Sequence, residues 1–240
     1  MATFLVAHGA WSAGFVWKKM HPLLRAAGHE LVTTSHTGLG DRVHLAHKDI
    51  DLDHHITDIS AVLFQEDLHD VILIGHSYGG FVATGVADRV PERLSQIVYV
   101  DAFVPKDGEN MMDLSTPDSR KRWMDSAKAE GDGWRVTPNP SPPDTSPEDI
   151  AWVKPRRYPQ PLKTMTQPLK LTRGETKLPR SYVYCTRVGP GDMFGSFARA
   201  AKADPAWRYF ELDASHNPHI TAPVHLARVL ADIAAGRKDP

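Results

Sequence analysis

Short apolar runs alternate along this chain with longer segments whose apolar residues recur every three or four positions. Residues 4–7, in FLVAHG, form an apolar run that stops at His8-Gly9, which predicts a buried strand followed by a tight turn. Residues 15–27 place Leu23, Leu24 and Ala27 on one face and end at Gly28, the pattern of a helix with its stop signal. Residues 31–34 predict a second strand, and Leu52, Ile56, Ile59 and Leu63 give residues 52–65 a helical stripe. Residues 71–74, VILI, are continuously apolar, as in a strand covered on both faces. A helix over 81–90 follows, ended by Pro91, and then strands over 97–100, 182–185 and 207–212. Pro223 opens a last helix over 222–235, Leu226, Val229, Leu230 and Ile233 face inward, and Gly236 lies just beyond.

Strands alternating with helices predict a mostly parallel, doubly wound α/β sheet of about six strands with helices on both faces. Residues 103–179 break the rhythm. They hold Pro138, Pro140, Pro142, Pro143, Pro147, Pro155, Pro159 and Pro161 together with Trp123, Trp134 and Trp152. A stretch that long inside a compact domain is functional or disordered, and three tryptophans argue against disorder. The expected division is a core of residues 1–102 and 180–240, with 103–179 inserted as a cap over the carboxyl edge of the sheet.

The chemistry concentrates where strands end. Gly75-His76-Ser77-Tyr78-Gly79-Gly80 lies between a buried strand and a helix, the setting in which G-x-S-x-G marks a nucleophile on a sharp turn. Small neighbours let that turn form, and the helix behind it aims its amides at the place where negative charge develops. A serine hydroxyl needs a base, and His216 follows the last strand directly in DASHNPH. His219 competes for the role but lies farther from the strand end. The base needs an acid to hold its tautomer. Asp192 and Asp101 each follow a strand. Asp192 is favoured, because the order Ser77, Asp192, His216 suits this arrangement, and Asp101 remains the alternative acid. An oxyanion hole requires two backbone donors, expected at Tyr78, after the nucleophile, and at Ala10, in the turn after the first strand.

Composition narrows the field. The 240 residues are 41% hydrophobic and 24% charged with net charge −1, so neither nucleic acid nor an anionic membrane is an expected partner. No stretch approaches the ~18 apolar residues of a membrane span, and MATFLVAHGAW has no basic region of the kind that begins a signal peptide. Cys185 is the one cysteine, which excludes an internal disulfide and fits a reducing, cytoplasmic setting. His36, His44, His47, His54 and His55 cluster among aspartates, but without ordered ligand spacing they read as a solvated loop and helix face and not as a metal site. No metal and no organic cofactor is expected.

FLVAHGAW, Trp17, PLLRAAGHEL, VILIGHSYGG, IVYVDAFVP, SYVYCT and ELDASHNPH together resemble the α/β-hydrolase superfamily. The similarity is to the branch of plant methyl-ester esterases, hydroxynitrile lyases and bacterial esterases such as pyrethroid hydrolases. It spans most of the chain outside the middle of the insertion. It implies a Ser–His–Asp triad without cofactor, supports Ser77, His216, Ala10 and Tyr78 in the roles above, and is weakest at the acid, where residues 187–191 separate the strand from Asp192. The expected function is a serine esterase that cleaves a small or medium apolar ester through an acyl-enzyme on Ser77. Its partner is a small-molecule ester, and a homodimer is compatible with the sequence. The alternatives are a hydroxynitrile-lyase-type enzyme using the same triad and a silent small-ligand receptor. The resembling lyases carry threonine after the first histidine and lysine after the catalytic one, where this chain has Gly9 and Asn217.

Overall fold

The computed structural model describes residues 1–189 and 191–237. Pro190, in the loop before Asp192, lies outside them, as do residues 238–240. The main sheet has six parallel strands: β1 (Thr3–Ala7), β2 (Glu30–Thr33), β3 (Val71–His76), β4 (Leu94–Val100), β7 (Arg180–Cys185) and β8 (Trp207–Leu212). Their order across the sheet is β2-β1-β3-β4-β7-β8. The chain builds outward from β1 in one direction and then, from β3 on, in the other. Loops after β1 and β3 therefore diverge at a switch point, where sheets of this kind bind ligands. This is the mostly parallel, doubly wound sheet expected from the strand pattern, and the α/β-hydrolase fold that the resemblance implies.

Strand alternation divides the core. Phe4, Val6, Ile72, Ile74, Val98 and Val183 pack with α1 (Met20–Ala26) and α9 (Pro223–Ala234). Leu5, Leu73, Ile97 and Tyr99 face α2 (Leu52–Gln65) and α3 (Gly79–Arg89) on the other side. The caps have local causes. Asp51 accepts the His54 N–H at 3.2 Å while its own N–H donates to His54 Nδ1, which closes a capping box on α2. Gly236, at φ 73°, follows α9.

The helix expected over 15–27 divides into a short 3-10 turn, Gly14–Trp17, and α1. The crossover from β7 to β8 runs through α7 (Gly195–Ala203), which the hydrophobic pattern does not announce, because its buried face is built from glycine and alanine: Gly195, Ala198 and Ala201. Residues 103–179 contain α4 (Pro117–Glu130), α5 (Pro147–Val153), the one-turn α6 (Lys163–Thr166) and an antiparallel pair, β5 (Arg135–Val136) and β6 (Gln160–Pro161). One-turn α8 (Pro218–Thr221) precedes α9. The insertion is tied back to the core at Asp88, near the end of α3, whose carboxylate accepts the backbone N–H groups of Thr172 and Arg173 and the Thr172 hydroxyl.

The turn from β3 into α3 tolerates no side chain at two positions. A Cβ on Gly79 would lie 2.0 Å from the Ala7 carbonyl oxygen, and one on Gly80 would lie 2.0 Å from that of Phe103. Both obstacles are backbone, which cannot rotate away. Alanine in a helix ordinarily stabilises relative to glycine. Gly80→Ala should instead destabilise by about 3 kcal/mol, the upper end of overpacking costs. Thermal and urea unfolding would measure this, and unchanged stability would refute the close approach.

Candidate active site

Every side chain singled out for chemistry, except Asp192, meets at the carboxyl edge of the sheet. Ser77 follows β3 with φ 56°, a left-handed conformation that costs a non-glycine residue of order 1 kcal/mol and turns the side chain up from the sheet. The strain is held by bonds on both sides: Ser77 N–H donates to Val100 O at 3.3 Å, and Ser77 O accepts from Gly80 N at 3.1 Å and Phe103 N at 3.3 Å. His216, in the loop after β8, places Nε2 3.0 Å from Ser77 Oγ.

The third member corrects the sequence reading. His216 Nδ1 lies 2.7 Å from Asp101 Oδ2, so Asp101 and not Asp192 faces the histidine. Asp101 leaves the end of β4 at φ 42°, which folds its carboxylate back over the sheet edge. The Cys185 N–H, on the neighbouring strand, donates to the other oxygen at 3.3 Å. Burial pushes the Asp101 carboxyl up, and the His216 hydrogen bond opposes that rise. Asp192 is exposed and occupied elsewhere. Its Oδ1 accepts the N–H groups of Phe194 and Gly195 at the start of α7, and its Oδ2 accepts the Tyr184 hydroxyl at 2.8 Å.

Ala10 and Ser77 line the same cavity, and Tyr78 follows Ser77 directly. Among the described residues neither backbone N–H has a protein acceptor, as an oxyanion site requires. The turn carrying Ala10 is fixed through Trp11, at φ 56°. The Trp11 N–H donates to Gln160 Oε1 at 3.0 Å and its indole N–H to Val136 O at 2.7 Å, both in the β5–β6 pair.

Several supporting residues escaped the sequence reading. Phe194 stacks on the His216 ring with centroids 4.9 Å apart and planes 7° from parallel. His76 Nε2 lies 2.8 Å from the His216 carbonyl oxygen; a carbonyl only accepts, so Nε2 carries the proton and donates. Asp144, from the insertion, accepts from the Ser215 hydroxyl and from its N–H, which braces the histidine loop. Phe194, His76 and Ser215 border a cavity of about 540 Å³ that is also lined by Ser77, His216, Trp11, Trp123 and other parts of the insertion. Of the insertion's three tryptophans only Trp123 lines this cavity, whereas Trp152 packs edge-on against Phe15.

Residues 4–228 match the profile of the alpha/beta hydrolase family. The chain is 35% identical over 240 residues to a carbendazim hydrolyzing esterase of Nocardioides sp. (strain SG-4G), covering 96% of this chain and 99% of the relative. It is 28% identical over 196 residues to methyl jasmonate esterase 1 of Vitis vinifera, covering 78% and 74% of the two chains. A solved extracellular alpha/beta-hydrolase from a Paenibacillus species superposes with a TM-score of 0.83 at 25% identity, covering 97% of this chain and 98% of that one.

Beneath the site lies a group of buried histidines, which corrects the reading of His36 and His55 as solvated. Both are fully buried. His8 and His36 rings lie 3.9 Å apart, and His36 stacks on His55 at 4.7 Å. His36 N–H donates to His8 Nε2, so the His8 proton sits on Nδ1, facing Gly9 O. His55 Nε2 faces Thr37 O and must donate, which leaves Nδ1 to accept the Tyr78 hydroxyl at 3.0 Å. His219, the rejected candidate base, lies stacked on Trp17. Burial pulls His8, His55 and His219 down from 6.5 to about 3. The unfolded chain therefore binds more protons below pH 6.5. The stabilising effect of neutral burial is complete above that pH and fades as pH falls toward about 3. Each such histidine contributes a slope of up to about 1.4 kcal/mol per pH unit. Urea unfolding between pH 7 and pH 5 should show a steep loss of stability, and His55→Gln should reduce the slope by about one proton. A flat profile over that interval would contradict this protonation state.

Proposed function

The chain belongs to the alpha/beta hydrolase family, and from that premise and the hydrogen-bond chain Asp101–His216–Ser77 we propose that it is a serine esterase. The reaction class is carboxylic-ester hydrolysis. In the mechanism this geometry supports, Ser77 Oγ attacks the ester carbonyl while His216 Nε2 takes its proton. Asp101 holds Nδ1–H and stabilises the imidazolium. The Ala10 and Tyr78 amides receive the tetrahedral oxyanion. His216 then returns the proton to the departing alcohol, leaving an acyl group on Ser77. Water, deprotonated by His216, attacks that acyl group, and the products are one acid and one alcohol.

Residues 103–179 act as the cap in this reading. They supply Trp123, Pro140, Pro142 and Pro143 to the cavity wall, and a small or medium ester with apolar groups next to the scissile bond fits that lining. The relative named for carbendazim and the one named for methyl jasmonate support the same size class. Among the described residues no helix is long and apolar enough to cross a membrane. We place the protein in the cytoplasm on the strength of its single, buried thiol, Cys185.

The lyase alternative fits less well. A Cβ at Gly9 would lie 2.9 Å from His76 Nδ1 and 3.1 Å from Ser77 Cβ, so the threonine of the lyases would require the His76 ring to shift. Asn217 supplies no cation for departing cyanide. The intact Ser–His–Asp chain likewise argues against a silent receptor.

Ser77→Ala should lower ester turnover by roughly 10⁴-fold or more and abolish labelling by a fluorophosphonate probe. Near-normal turnover would overturn the mechanism. Asp101→Asn should cost about 10⁴-fold in kcat, because the amide holds the wrong tautomer, and Asp192→Asn far less. Equal losses would remove Asp101 from its role. Given mandelonitrile and an aryl ester, the enzyme should hydrolyse the ester; cyanide release without ester turnover would install the lyase in its place.

A further inference from the structure

The cavity that holds Ser77 and His216 is apolar on most sides, but one part of its wall is not. Arg157, in the insertion, lines it. Its Nη1 donates to the Asn139 carbonyl oxygen at 2.6 Å. Among the described residues that is the only protein partner of this guanidinium, and no carboxylate pairs with it. The cavity lining contains no aspartate or glutamate. Its other arginine, Arg187, is already neutralised by both oxygens of Asp213, at 2.7 and 2.8 Å. Arg157 is thus a partly desolvated cation whose remaining donors have no acceptor in the protein. Burial alone lowers its pKa, with no nearby carboxylate to raise it.

Two more polar groups of the insertion line the same cavity. Thr145 is 7% exposed, and its hydroxyl is buried without a partner. Asn139 Oδ1 accepts the Trp123 indole N–H at 3.0 Å, an assignment that leaves its amide N–H groups to donate. The Arg157 guanidinium and the Asn139 amide are donors among the cavity-lining residues of the insertion, whereas the Thr145 hydroxyl is enclosed by protein. A buried polar group without a partner costs about 1–3 kcal/mol, and more if charged. That cost is recovered when a ligand supplies the acceptor.

We propose that Arg157 and Asn139 form a carboxylate-recognising subsite, and that the preferred substrate is an ester bearing a second, ionised carboxylate remote from the scissile bond. The inference rests on the ester-hydrolase reading and names its substrate class. The carboxylate takes no part in the bond changes. It anchors the ester while water divides it into acid and alcohol, as in the mechanism above. It can be carried on the acyl or on the alcohol half.

Two substrate pairs distinguish these halves. Mono-p-nitrophenyl glutarate against p-nitrophenyl valerate places the charge on the acyl side, and 4-acetoxybenzoate against 4-acetoxybenzamide places it on the alcohol side. In at least one pair kcat/KM should favour the carboxylate by about tenfold or more, the scale of a hydrogen bond to a charged group. Arg157→Gln should collapse that ratio toward one, and Arg157→Lys should retain part of it. Competitive inhibition of valerate-ester hydrolysis by glutarate, measured on the unaltered enzyme, tests the subsite whether or not a variant folds. A ratio near one in both pairs, a ratio that Arg157→Gln leaves unchanged, or no inhibition by glutarate would overturn the subsite. Turnover of the neutral esters separates that failure from failure of the esterase reading: if they are hydrolysed, only the subsite falls, and if no ester is hydrolysed, both fall.

Discussion

The approach of α3 to the backbone of its neighbours is the constraint on which the rest of the site depends. The Ala7 carbonyl at the end of β1 and the Phe103 carbonyl beyond β4 sit where side chains at Gly79 and Gly80 would be. That contact brings the start of α3 down between two adjacent loops. Ser77, two residues before Gly79, sits in the left-handed region at φ 56°. The position of the proposed nucleophile thus goes with one packing event. Ala10, whose amide has no protein acceptor among the described residues, lines the cavity, where solvent or an oxyanion can accept from it.

The floor beneath this turn is unusual in its polarity. His8, His36 and His55 lie under Tyr78, and His76 and His219 lie behind His216. As neutral rings they bring no charge near the proposed base: His8 and His55 bond the carbonyl oxygens of Gly9 and Thr37, His76 bonds that of His216, and His36 and His219 hold their places by stacking. Protonating His76 or His219 would place a buried cation close to His216 and oppose the imidazolium of the proposed mechanism.

Much of this was legible in the chain. Residues 52–65 form a helix with the expected bounds, and β8 has the bounds expected for the last strand. Ser77 and His216 were singled out by their places directly after strands. The acid was not, because Asp101 and Asp192 both follow strands, and spacing carries no information about which carboxylate turns inward. The difference lies in conformation: φ 42° at Asp101 keeps it over the sheet edge, whereas Asp192 is held by the first amides of α7. α7 itself was hidden by its small residues, although a right-handed crossover between parallel neighbours requires such an element. The burial of His55 could have been read. It shares the stripe of Leu52, Ile56 and Ile59, and polarity by residue type outweighed position on the helix.

The insertion is bonded to both loops that carry the chemistry, so its sequence is not free to vary uniformly. Gln160 and Val136 hold Trp11 beside the Ala10 donor, and Asp144 holds Ser215 beside the base. Changes at these points would move catalytic groups as well as the pocket wall. Between them, Asn139, Pro140, Pro142 and Pro143 line the cavity without belonging to a helix or strand. An irregular wall is costly to order, because each free residue gives up about 1–2 kcal/mol of backbone entropy. Proline reduces that loss by restricting the unfolded chain as well. The proline-rich stretch can therefore hold Asn139 beside Arg157 in a fixed arrangement without a core of its own. In the proposed reading, specificity belongs to the segment whose backbone is stiffened by residue type, and catalysis to the loops fixed by hydrogen bonds to either side of it.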